Sequence, residues 1–189
     1  MRQGMFRTAI DETYCADPAH RLRWERTLSF VAGSAIAGSP VSSGLDLGDR
    51  TPLTGRLERL FGCPFRNTDA DLDVCSLEGS CQVVTAFEVL EHLFNPLHVL
   101  LEARRVLQGT PAARLFLSTP VSKPLFLQSP DHFHEIAPAA IAALFRRAEF
   151  GIVRKAEFRI RPAWFYLTGF RPLLRALHEK IQIYELEAR

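Results

Sequence analysis

The sequence contains no apolar run long enough to cross a bilayer, which excludes a transmembrane helix. Its first residues, Met1-Arg-Gln-Gly-Met-Phe-Arg7, lack the long apolar core of a secretory leader. The expectation is a cytoplasmic protein. Net charge is nearly absent: 23 Lys and Arg against 21 Asp and Glu leave +2, too little to imply a nucleic-acid partner. Cysteine is sparse. The four, at positions 15, 63, 75 and 81, form no Cys-x-x-Cys pair, which removes the common zinc and redox signatures. Free thiols in a reducing compartment are expected, with Cys63 and Cys81 in buried strands. No internal repeat is present.

What remains is 189 residues, of which 47% are hydrophobic and 23% charged, an ordinary globular composition for one domain with a real core. Residues 1–40 read as an N-terminal helix and connector. Asp17-Pro18 is an N-cap followed by a first-turn proline, and Trp24, Leu28 and Val31 recur at helical spacing, so the helix covers 18–32. Gly, Ser and Ala then dominate up to Ser43.

From residue 41 to 158, short apolar runs alternate with amphipathic segments. Strands are expected at 41–47, 63–68, 82–87, 113–118 and 151–158. Helices are expected after Thr51-Pro52, after Asn95-Pro96 and from Pro138. A third strand between residue 68 and residue 82 is hard to find. This alternation implies a parallel sheet with helices on both faces. Ligands of such sheets bind beyond the carboxyl ends of the strands. Polar residues cluster at four of those ends: Gly48-Asp49-Arg50, Asp69 to Asp73, Glu88 to His92, and Asp131 to Glu135.

Two segments carry a resemblance. Gly44-Leu-Asp46-Leu-Gly48 opens like the turn acid-x-Gly-x-Gly-x-Gly, with Arg50 and Pro52 where the later glycines belong. Val83-Val-Thr-Ala-Phe87-Glu88-Val-Leu-Glu91-His92-Leu is the more specific block. It continues through Leu97 to Leu107 and Leu115-Phe-Leu-Ser-Thr-Pro120. Together they resemble the class I S-adenosylmethionine-dependent methyltransferases over residues 41–158. The resemblance implies a Rossmann-like three-layer α/β/α sandwich with a mostly parallel sheet, an N-terminal helix and a C-terminal helical extension. It implies methyl transfer from S-adenosylmethionine to a small-molecule acceptor.

The resemblance further implies that Gly44, Asp46, Gly48 and Asp69 hold the cofactor, Asp69 through the ribose hydroxyls. Asp71 is the fallback for that role. Asp73 would meet the adenine. Arg50 is a candidate for the methionine carboxylate, which suits a guanidinium fork. Phe87 and Glu88 would face the cofactor's reactive end. Glu91 and Glu135 are candidates for substrate contact, and His92, His132 and His134 for removing the acceptor proton. A metal at His132, His134 and Glu135 lacks evident third and fourth ligands, so none is assigned.

The tail, 159–189, sets Trp164, Phe165, Tyr166 and Phe170 among Arg159, Arg161, Arg171 and Arg175, with no acid between Phe158 and Leu177. Core packing, a lid over an acceptor pocket and contact of 159–175 with an anionic surface are its three readings. A final helix is expected at 172–186. Two other functions stay open: a methyltransferase-like binding or scaffold domain without catalysis, and a nicotinamide oxidoreductase. The absence of Gly-x-Gly-x-x-Gly after the first strand argues against the oxidoreductase.

Overall fold

A proline opens each of the long helices, and the residue before it usually caps. In the computed structural model, which describes residues 15–129, 132–161, 163–169, 172–173 and 178–189, α1 spans Pro18–Ala32 and the Asp17 carboxylate accepts from the Ala19 N–H at 2.7 Å. Helix α2 spans Pro52–Phe61 behind a Thr51/Thr54 capping box and stops at Gly62, whose φ of 68° suits a residue without Cβ. Helix α3 spans Pro96–Leu107 with Asn95 as its cap, and α4 spans Pro138–Arg147. Proline at these first turns forfeits no hydrogen bond, because the N–H would be unpaired anyway.

The strands are β1 (Gly44–Asp46), β2 (Phe65–Asn67), β3 (Val83–Phe87), β4 (Arg114–Pro120), β5 (Phe150–Phe158) and β6 (Ile181–Ala188). They form one sheet in the order β2-β1-β3-β4-β6-β5. The pairs β1–β2, β1–β3 and β3–β4 are parallel, and β6 runs antiparallel to both its neighbours.

Strand alternation sends side chains to two cores. On one face Trp24 and Val31 of α1 and Leu53, Leu57 and Phe61 of α2 pack on Phe65, Val83 and Phe116. On the other face Leu100 and Ala103 of α3 and Ile141 and Phe145 of α4 pack on Leu45, Val84, Leu115 and Tyr184. Each fully buried Leu or Phe here contributes about 1.5–3 kcal/mol. The expected three-layer α/β/α sandwich is what these residues build.

One departure has a physical reason. Residues 181–186, read from sequence as the end of a final helix, belong to strand β6. Its Glu, Leu and Ala favour helix, yet it lies between β4 and β5 with both faces buried. Its polar residues are satisfied within the sheet and its coverings. Gln182 Nε2 donates to the Ile136 carbonyl at 2.8 Å, and the Tyr184 hydroxyl donates to Gln182 Oε1 at 2.7 Å. Buried Glu185 accepts from Ser34 Oγ at 2.6 Å and from Arg154 Nε at 2.5 Å. Arg154 also donates to the Phe30 carbonyl and covers the Phe30 ring, so this cluster ties α1 to the sheet.

The segment 68–82, where a strand was hard to find in the sequence, contains none, so three-residue β2 is the sheet edge. The segment is pinned instead by single bonds. Arg66 reaches the Glu78 carbonyl at 2.9 Å, and Glu102 of α3 accepts from the Leu77 N–H at 2.8 Å.

Candidate functional site

The chain passes outward from β1 to β2 and then returns across β1 to β3, so strand order reverses between β1 and β3. There the carboxyl ends of the strands open into a cavity of about 830 Å³. Reversal points of this kind are where open parallel sheets take ligands.

The turn after β1 forms one wall. Gly48 has φ 104°, and no atom lies within 4 Å of where its Cβ would stand. Its N–H donates to Thr68 Oγ1 at 2.8 Å, and its carbonyl accepts from Asn67 Nδ2 at 3.2 Å. The turn is therefore held by β2, and its bare face looks onto the cavity.

Asp46 lies beneath this turn and is not on the cavity wall expected of it. Its carboxylate accepts from Thr54 Oγ1 and from Thr85 Oγ1, each at 2.6 Å. Burial pushes it up to about 6, against those two hydroxyls, Asn67 and the charge of Arg50. Gly44 does not line the cavity either; a Cβ there would stand 2.4 Å from the Phe65 ring. Arg50 turns away from the cavity to fork Glu58, with bonds of 3.1 and 2.5 Å. That fork commits the guanidinium to a carboxylate on α2.

Asp69, Asp71 and Asp73 line the cavity as well. Asp69 is exposed to the cavity and makes no hydrogen bond to another described residue. Asp71 Oδ1 accepts from the Asp73 N–H, and Asp73 Oδ1 from the Asn95 N–H at 2.6 Å, so these two shape the loop.

The turn after β3 supplies the floor. Phe87 is half-buried on the wall. Glu88 has a left-handed φ of 56°, and its side chain takes Ser118 Oγ at 2.8 Å and Arg23 Nη1 at 3.2 Å. Glu91 is wholly buried, and neither carboxylate oxygen has a hydrogen-bond partner among the described residues. Burial, reinforced by the charge of Glu88, holds its carboxyl well above the usual carboxylate range; Arg23 and Thr119 oppose this. Thr119 Oγ1 is itself buried without a hydrogen-bond partner among the described residues.

His132 meets this corner from the segment before α4. Its ring stands edge-on to that of His92, with centroids 5.1 Å apart. His132 Nδ1 lies 3.0 Å from Glu135 Oε1, and the buried Glu135 also binds Lys123 Nζ at 3.0 Å. Glu135 thus stands behind His132 and does not line the cavity. His134 is exposed and off the wall; its N–H and that of Phe133 donate to the Glu91 carbonyl.

Several lining residues had no sequence signal. His20 and Arg23 come from α1, outside the resembling block, and Lys123 and Gln128 from the segment after β4. Ile160, Glu179 and Ile181 also line it, as does Arg161 of the basic-aromatic tail, which pairs with Glu179 at 3.3 Å while covering the Phe165 ring. Phe170, Arg171 and Arg175 lie outside the described residues, as does the side chain of Trp164. Asp131 also lies outside them.

No family model and no curated protein matches this chain. Solved structures do. A chain from the complex of the Haloferax volcanii Trm112 methyltransferase activator is 14% identical with a TM-score of 0.59, over 96% of this chain and 100% of that one. An S-adenosylmethionine-dependent methyltransferase from Mesorhizobium loti is 14% identical with a TM-score of 0.56, over 90% and 99%. The N-methyltransferase NodS from Bradyrhizobium japonicum is also 14% identical with a TM-score of 0.56, over 92% and 99%.

The chain has a class I S-adenosylmethionine-dependent methyltransferase fold. Within that methyltransferase fold, the cavity sits where the Gly48 turn, the aspartate loop and the Glu88–His92 turn converge. No helix among the described residues is long and apolar enough to cross a membrane.

Proposed function

We propose that this chain is an S-adenosylmethionine-dependent methyltransferase acting on a small-molecule acceptor. The observation that carries the reading is the open space over Gly48, in a cavity that Asp69 also lines. The altered glycine turn does not fill the cavity, because Arg50 leaves it for Glu58. S-adenosylmethionine has no phosphate, so a single bare glycine suffices for close approach to the backbone. Asp69 is then the acceptor for the ribose hydroxyls, with Asp73 and the neighbouring backbone toward the adenine. Phe87 and Glu88 border the sulfonium. A volume of about 830 Å³ is within the range of small-molecule pockets.

Methyl transfer asks mainly for alignment of acceptor, methyl and sulfur. The acceptor end of the cavity is the Glu91–His92–His132 corner, and an imidazole there takes an acceptor proton near neutral pH. Calorimetric titration with S-adenosylmethionine tests the reading. Wild type is expected to bind, and Asp69→Ala to weaken binding by about tenfold or more. An unchanged dissociation constant removes the ribose assignment. No binding by wild type overturns the function.

A second reading, a binding module of the same fold without catalysis, is favoured by the strandless segment 68–82 and by Arg50 and Pro52 at glycine positions. Cofactor binding without turnover over a panel of hydroxyl and amine acceptors would select it.

A further inference from the structure

We propose that Glu91, His92 and His132 form a site for a divalent transition-metal cation at the acceptor end of the cavity. One ligand atom from each lies within 4.8 Å of the other two. Atoms sharing one cation at bonds of about 2.0–2.2 Å stand at most about 4.4 Å apart, so side-chain shifts of a few tenths of an ångström close the set.

Three observations point to a cation. The first is Glu91 itself. Both its oxygens are buried without a hydrogen-bond partner among the described residues, on the wall of a cavity large enough to admit a ligand. A buried carboxylate left in that state is costly unless something compensates it. The second is the charge arrangement. Arg23 pairs with Glu88 and Lys123 pairs with Glu135, so the nearby cations are committed and Glu91 is the carboxylate left over. The third is the support behind His132. Glu135 engages Nδ1, which leaves Nε2 as the coordinating nitrogen and fixes the ring. A carboxylate behind a ligating imidazole is the usual second tier of a metal centre. The 132–134 segment is also anchored to the Glu91 carbonyl through the Phe133 and His134 N–H groups, which brings ligands from two distant stretches together.

In the sequence, the nearest cluster of metal-ligating residue types is His132, His134 and Glu135. The geometry points to a different set: His134 is off the wall, and Glu135 supports a ligand. Two imidazoles and one carboxylate suit Mn²⁺, Fe²⁺ or Zn²⁺ better than Mg²⁺ or Ca²⁺, which prefer all-oxygen sets. Three protein ligands leave open positions toward the cavity for acceptor oxygens.

The role assigned to the cation rests on the methyltransferase reading; cation binding does not. With the cation in place, His92 and His132 are ligands and not bases. The cation holds an acceptor oxygen and eases loss of its proton to water. The C–S bond of the sulfonium breaks, the C–O bond forms, the donor leaves as a neutral thioether, and the cation keeps its oxidation state.

The test is Mn²⁺ binding to metal-stripped protein, followed by loss of the free-ion electron paramagnetic resonance signal, with Zn²⁺ and Mg²⁺ as competitors. One Mn²⁺ per chain is expected, displaced by Zn²⁺ far more readily than by Mg²⁺. Glu91→Gln and His132→Asn are expected to weaken binding by about tenfold or more. His98→Gln, on the exposed face of α3, is expected to leave it unchanged. No binding by wild type, or wild-type binding in both site variants, overturns the proposal. Melting curves without metal establish that each variant folds; if Glu91→Gln does not, His132→Asn carries the test. S-adenosylmethionine titration of the stripped protein reports separately on the function, so either reading can fail alone.

Discussion

The Asp46 carboxylate accepts the Thr85 hydroxyl at 2.6 Å from the neighbouring strand, under the Gly48 turn. The motif's acid is therefore part of the sheet's interior, tied to β3 through Thr85 and to α2 through Thr54.

Its raised pKa fixes a sign for pH dependence. An unfolded Asp titrates near 3.8 and the folded one near 6, so the native state holds the extra proton between those values. The Asp46 contribution is fully favourable below about pH 3.8 and is lost as pH rises through 6. The span is about 3 kcal/mol. Urea melts at pH 4.5 and pH 7.5 should show a smaller pH effect in Asp46→Asn than in wild type; equal pH effects would refute it.

Arg50→Ala should leave S-adenosylmethionine affinity within about twofold, since the fork to Glu58 is exposed and faces away from the cavity. A tenfold loss by calorimetry would put Arg50 at the ligand.

Gly44 and Gly48 should separate cleanly. At Gly44 the added methyl meets the buried Phe65 ring, and alanine there costs about 1–3 kcal/mol while the folded protein keeps its ligand affinity. At Gly48 the methyl enters open cavity on a left-handed backbone. Gly48→Ala should weaken the cofactor by about tenfold or more with a smaller loss of stability. Paired melts and titrations read both.

Removing Arg154 should hurt more than neutralising its partner. Arg154→Ala leaves Glu185, 2% exposed, with Ser34 and a longer contact of 3.4 Å to Arg114, and should cost about 2–3 kcal/mol. Glu185→Gln keeps the shape and leaves arginines that reach solvent. Denaturant midpoints in the reverse order would show that α1 is not anchored here.

The fold was legible where turn chemistry is local. Asp17-Pro18, Thr51-Pro52 and Asn95-Pro96 each announced a helix that begins at its proline. Strand β6 was not legible, because Glu, Leu and Ala in Ile181–Ala188 carry helix propensity. Its placement is decided by β4 and β5, far away in sequence. The site was legible at strand ends: Gly48, Asp69, Phe87, Glu88, Glu91 and His92 all line the cavity. Asp46 and Gly44 do not line it, because a motif fixes backbone position but not the direction in which a side chain finds partners. Arg23 was hidden because α1 joins the site through tertiary packing, and no local spacing encodes that.

The insertion of β6 between β4 and β5 sets an order of assembly. During synthesis the β5 segment leaves the ribosome long before the strand that must bridge it to β4. Until residues 181–188 emerge, β5 has no hydrogen-bonding neighbour in the sheet, and closing it requires a contact between stretches far apart in the chain. The nascent protein therefore carries an open β4 edge until residues 181–188 have emerged, and that edge is where a chaperone or a misplaced strand would first take hold.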